Sequence, residues 1–122
     1  MEIFKMSAVE QIELSEKRGD TQTYTLYFCD DAGAREDITG WKIFFTVKSK
    51  SSDLDAAAII SKTVTTHTDP TNGESQISLT SIDLGTVGRY IYDVQVKTDT
   101  GDIKTILEGN FIITQDVSLR TS

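Results

Sequence analysis

A two-sheet antiparallel β-sandwich of seven or eight short strands is the fold class this sequence predicts, and three observations predict it. The first is a clean alternation of apolar and polar residues in the best-patterned stretches. Tyr24, Leu26 and Phe28 share one parity, as do Trp41, Ile43, Phe45 and Val47, and side chains on a strand alternate faces at every residue. The second is the recurrence of turn signals about every 8–12 residues, the rhythm of sandwiches and barrels. The third is the lack of any crossover helix that would serve a parallel sheet. The architecture that follows is immunoglobulin-like, without the cysteine pair of antibody domains, since Cys29 is the sole cysteine.

Taken in order, residues 1–9 carry Ile3, Phe4, Met6 and Val9 with no clear period. They are too apolar for a free tail, so they form either an edge strand of the domain or an arm that pairs with a neighbouring subunit. These four residues are the candidate partner-binding positions. Glu10–Lys17 alternates through Ile12 and Leu14 and reads as an edge strand. Arg18-Gly19-Asp20 turns the chain into the strand 21–29. Asp30-Asp31-Ala32-Gly33-Ala34 is a turn, and Asp37-Ile38-Thr39-Gly40 leads into the Trp41 strand, which is expected to be central and to face the opposite sheet. Its break in pattern is Phe44, on the outward parity. Burying each large apolar side chain of these two strands stabilises the fold by roughly 1.5–3 kcal/mol, so they set the core.

Residues 51–55 read as a loop, with Ser52 or Asp53 able to cap one helical turn through Ala56-Ala57. The β-branched run 58–66 is a strand that ends before Pro70. Asn72-Gly73 is the strongest hairpin signal and predicts a type I′ turn. The strand 76–80 follows, then a short helical turn within 81–85. Arg89–Lys97 alternates through Tyr90, Tyr92, Val94 and Val96. Asp99–Asp102 turns the chain into a final long strand, in which Gly109 predicts a β-bulge. The domain is expected to span residues 10–118, with 119–122 a loose polar tail.

With 122 residues and 38% hydrophobic content, one domain with one core is the natural division. A net charge of −7 argues against nucleic acid as partner, because phosphate binding wants a basic face. No apolar stretch reaches membrane-spanning length and the N-terminus lacks a signal-peptide core, so a soluble product of a cytoplasm is expected.

The chemical constellations are weak. Asp30, Asp31, Glu36 and Asp37 crowd one loop without the alternating spacing of a calcium loop, and read as turn carboxylates. Arg18-Gly19-Asp20 spells a tripeptide that integrins read, but as three residues it is better taken as a polar turn. His67 is the only histidine and reads as a surface side chain, since no nucleophile elbow exists to pair with it. Tyr24, Tyr90, Tyr92 and Trp41 share the inward parity of their strands, which points to core packing rather than a sugar platform. No catalytic residue, cofactor site or metal site is expected; the chain does not read as an enzyme.

Several pieces, in order, resemble a known family. They are Gly19-Asp20-Thr21 with the strand to Phe28, Asp31-Ala32-Gly33, and Asp37-Ile38-Thr39-Gly40-Trp41 followed by Phe45-Thr46-Val47-Lys48. Ile60-Ser61-Lys62-Thr63, Asn72-Gly73, Ile77-Ser78-Leu79-Thr80 and Gly88–Val94 continue the match, and Leu107–Phe111 and Gln115-Asp116-Val117 close it. Over residues 15–118 the chain resembles the N-terminal domain of phage baseplate upper proteins, adaptors for receptor-binding proteins, and related immunoglobulin-like phage tail domains. The resemblance implies a structural component of a bacteriophage virion, in tail or baseplate, neck or capsid surface, made in the host bacterial cytoplasm. Its implied partners are other phage structural proteins and further copies of itself, with neither nucleic acid nor membrane involved. The alternative is a virion-surface module that binds host glycans or a host receptor. The family supplies no catalytic residues. The longer adaptors carry a C-terminal extension that this sequence lacks, which favours a small building block over direct host recognition.

Overall fold

The computed structural model describes residues 2–5, 10–30, 32–49 and 58–115. Among the described residues nine strands run in chain order: β1 (Glu2–Lys5), β2 (Glu10–Gln11), β3 (Leu14–Lys17), β4 (Gln22–Phe28), β5 (Lys42–Lys48), β6 (Ile60–Val64), β7 (Glu74–Leu79), β8 (Gly88–Lys97) and β9 (Ile103–Thr114). The described chain is all-β, its one helical piece being a 3₁₀ turn at Pro70–Asn72. The proposed cap at Ser52 or Asp53 and the tail 119–122 lie outside the described residues.

The strands form two sheets. The smaller has the order β1-β4-β7; the larger has β2-β9-β8-β5-β6, with β3 also paired to β9. Both contribute to one core. Leu26, Phe28 and Ile77 of the small sheet and Ile43, Phe45, Val94 and Phe111 of the large one are at most 3% exposed and belong to a single cluster. Phe45 is its hub, with ring centroids 6.3, 5.9 and 6.0 Å from Tyr24, Tyr92 and Phe111. The period-two pattern of β4 and β5 thus does what alternation dictates: one parity is buried and the other faces out.

The sheets are mixed rather than antiparallel. β1 runs parallel to β4, and β2 and β3 run parallel to β9. A parallel pair needs a long connection but not a helical one. Between β1 and β4 the chain crosses to the other sheet, and between β3 and β9 most of the domain intervenes. The lack of a crossover helix therefore did not forbid parallel pairing.

Three local expectations also change. Trp41 precedes β5 and is half-buried at the rim, its ring edge-on to Phe28 at 5.7 Å, while the centre belongs to Phe45. The Asn72-Gly73 turn is not type I′, because Gly73 alone in it has positive φ, at 66°. The chain makes a four-residue loop closed by the Asp69–Glu74 bridge. Gly73 is required there, since a Cβ would lie 2.6 Å from the Glu36 carbonyl oxygen and 2.7 Å from that of Phe28. The irregularity in β9 falls where Val94 pairs with Leu107 but Gln95 with Thr105, so Ile106 is the extra residue and Gly109 is not the bulge.

Candidate assembly surface

Gly109 serves the N-terminal segment instead. Between β2 and β3 the backbone at Ile12 approaches β9 so closely that a Cβ on Gly109 would lie 2.5 Å from the Ile12 carbonyl oxygen. The Ile12 N–H donates to the Glu108 carbonyl at 3.1 Å, and the buried Tyr92 hydroxyl donates to the Ile12 carbonyl at 2.6 Å. Burial pushes the Tyr92 phenol up to about 12. Next to this anchor, Gln22 and the Tyr24 hydroxyl both donate to the Glu16 carboxylate. Burial above all, and then the bond to Glu16 and its charge, raise the Tyr24 phenol far beyond its usual range. One side of the molecule is thus closed by a line of polar clasps from β2–β3 to the core tyrosines.

The opposite side, where β6 and β7 are sheet edges, is clasped twice. His67 sits in the connection between them. Its Nε2–H donates to the Trp41 carbonyl at 2.8 Å, leaving Nδ1 to accept from the Ser75 hydroxyl, also at 2.8 Å. Ser75 is completely buried, so this histidine is a structural tie between β7 and the start of β5 rather than a free surface group. Farther along, Lys62 Nζ lies 2.8 Å from Asp83 Oδ2. Asp83 accepts from the Thr80 N–H and Thr80 Oγ1 accepts from the Asp83 N–H, a reciprocal cap. Burial pushes the Asp83 carboxyl up, but Lys62 and the Thr80 bonds outweigh it and hold the group below its usual range.

The residues singled out from the sequence fall as follows. Ile3 and Phe4 lie on β1, whose backbone pairs with β4 of the same chain, Ile3 against Leu26 and Phe4 against Tyr27. Met6 and Val9 lie outside the described residues. Asp30 Oδ1 accepts the Ala32 and Ala34 N–H groups at 2.9 Å, and Asp37 Oδ1 accepts from Thr39 N–H and hydroxyl. These bonds lower the Asp37 carboxyl, the Thr39 hydroxyl first. Both carboxylates are therefore committed to their own turns, while Asp31 is outside the described residues. Arg18-Gly19-Asp20 is the β3–β4 turn, with Gly19 at φ 81° donating to the Leu84 carbonyl.

Sequence reasoning missed a concavity of about 380 Å³ on the outer face of the larger sheet. Thr46, Asp93, Glu108 and Gln11 cross its floor as one register row over four strands, and Lys48, Ile91 and Asn110 form the next. Asp93 and Glu108 are directly opposed, an arrangement that costs stability between like charges. The signal was present as polar residues on the outward parity of β5, β8 and β9, but it needed the register to bring the rows together. The floor offers carboxylates, amides, a hydroxyl and the Lys48 amine around one aliphatic side chain, and it suits a hydrogen-bonding ligand.

No protein-family model matches the chain, and no curated protein matches it. Among solved structures, the chain is similar to the N-terminal domain of phage TP901-1 ORF48, with a TM-score of 0.59 at 13% sequence identity. The likeness covers 93% of this chain and 98% of that one. At this identity it is a likeness of fold.

Proposed function

We propose that this chain is a non-catalytic structural domain of a bacteriophage virion, working by non-covalent docking to other virion proteins and to copies of itself. The observation that carries the reading is the fold likeness to a phage domain over nearly the full length of both chains. It agrees with the family resemblance read from the turns and core strands of residues 15–118. The strand orders support a finer reading of the fold as an immunoglobulin-type sandwich. β4-β7 and β9-β8-β5-β6 follow the B-E and G-F-C-C′ orders of that fold, with β3 beside β9. The parallel β1·β4 pair departs from it.

In this reading the tyrosine, histidine and lysine clasps hold a rigid block, and its outer surfaces and edges do the work. Ile3 and Phe4 lie on β1 at the rim of the smaller sheet, where a neighbour can extend the β1 edge by strand addition, with Met6 and Val9 following them in sequence. The protein is made in the host bacterial cytoplasm and ends in the particle, at tail, baseplate, neck or capsid surface. The test is to disrupt its gene in the parent phage and to analyse purified particles by mass spectrometry and labelled electron microscopy. Presence at fixed stoichiometry, with particles lacking a defined part in the disruptant, is expected. Normal, infectious particles that never contain the protein would end the reading.

The concavity favours a second reading, a virion-surface module for host glycan, because amides and carboxylates side by side suit vicinal hydroxyls. A glycan-array signal lost in Glu108→Ala and Asn110→Ala would support it.

A further inference from the structure

We propose that copies of this chain associate head to tail, the end of the molecule that presents Ile82 seating on the acidic loop end of the next copy. The inference rests on the assembly reading above and names the surfaces it would use. Its starting point is the turn between β7 and β8. Leu84 is fully buried, Asp83 is bonded to Thr80 and Lys62, and the Leu84 and Gly85 N–H groups donate back to the Thr80 and Ile82 carbonyls. The Leu84 carbonyl in turn accepts from Gly19, tying this turn to the β3–β4 turn. Ile82 sits within this braced turn and is 89% exposed. The backbone under this isoleucine is already held by the turn, so docking it costs little backbone ordering, a property that suits an anchor residue at an interface. Val87 and Ile59, 44% and 43% exposed, flank the same end of the two sheets.

Charge selects the occupant. Around Ile82 the described turns and strand ends carry Lys17, Arg18, Lys48 and Arg89 against Glu16 and Asp20, beside the Lys62–Asp83 ion pair, a basic excess. The loops at the opposite end carry Asp30, Glu36, Asp37, Asp69, Asp99 and Asp102 against Arg35, and the strand ends there add Glu74 and the exposed Lys42, Lys97 and Lys104, so that end keeps an acidic excess. That end also exposes an aliphatic residue, Ile103, at 63%. An apolar knob with a basic rim at one end and acidic loops beside an exposed isoleucine at the other are complementary surfaces on one molecule. Such a contact is heterologous, so it builds rings or filaments rather than closed two-fold dimers.

The experiment is sedimentation velocity on the full chain over a concentration series to the millimolar range, in low salt and in about 0.5 M salt, where the screening length falls to a few ångströms. Two variants are compared, Ile82→Asp and the double variant Asp99→Lys with Asp102→Lys, each first checked for wild-type melting. Wild type is expected to form concentration-dependent species larger than dimer, weakened by salt. Each variant alone is expected to be monomeric, and their equimolar mixture to form a dimer and stop there, since one good knob meets one good socket. Monomeric wild type throughout, full association by Ile82→Asp, or a mixture that stays monomeric would each overturn the proposal. If either variant melts early, surface-only Ile82→Ser and Asp99→Ser take its place with the same expected outcomes. Phage carrying Ile82→Asp separates the two levels: incorporation at normal stoichiometry leaves the virion reading standing while this interface falls.

Discussion

Individual side chains divide into those whose role follows from parity and those placed by the register. Phe45 is 1% exposed and touches three other rings, so Phe45→Ala should destabilise the fold by about 3–5 kcal/mol, the range for aromatic truncation in a packed core. Trp41 is half-buried against Phe28, and Trp41→Ala should cost less than half as much when both variants are unfolded in urea. Equal losses would mean that the two rings share the core evenly. The core of β4 and β5 was legible because period two is a local property: Tyr24, Leu26, Ile43 and Phe45 needed only their neighbours to be assigned. Ile38 and Leu84, both fully buried, were not legible, because they enter the core from turns that have no period. Gly109 was legible as special but for the wrong reason. Gly109→Ala puts a methyl 2.5 Å from the Ile12 oxygen and should cost about 1–3 kcal/mol, as overpacking does, with hydrogen exchange rising first at Ile12.

Among the elements, the N-terminal strands were read as an arm or an edge, and β1 forms the edge of the smaller sheet. Removing residues 1–9 should therefore lower the melting temperature by several degrees, because the β4 edge loses its cover. An unchanged melting temperature would show β1 to be dispensable to the domain and available to others. Parallel pairing was not legible: it depends on which sheet edge is left open once the other strands are in place, a property that no single segment carries. The β6–β7 side depends on Lys62–Asp83. Because the folded Asp83 carboxyl lies below its ordinary value of 3.8, its contribution is present above that pH and is lost as pH falls through the folded value. Asp83→Asn should therefore lower stability at neutral pH by about 1 kcal/mol or less, the scale of a part-exposed ion pair, and flatten the acid limb below about pH 4.

For the molecule as a whole, alkaline pH is the sharper probe. Tyr92 titrates near 12 when folded and at an ordinary 10 when unfolded. Its contribution is complete below 10 and lost as pH rises toward 12, and Tyr24, raised by burial and Glu16, acts in the same direction. Tyr92→Phe should lower stability at neutral pH by about 1–3 kcal/mol, through the orphaned Ile12 carbonyl, and soften the alkaline limb. A variant as stable as wild type at pH 7, with the same alkaline midpoint, would show that the hydroxyl does not hold the N-terminal segment. The sheet-borne concavity was illegible as a site because its rows come from four strands far apart in sequence. The same long-range pairing has a temporal consequence. β3 and the Ile12 anchor have no partner until β9 has been made, so during translation the early strands wait through most of the chain's synthesis with an unsatisfied edge. Such a topology has high contact order, and the larger sheet closes only after β9 leaves the ribosome. Nascent chains stalled before Ile103 should remain sensitive to protease, whereas chains stalled with β9 clear of the exit tunnel should resist it.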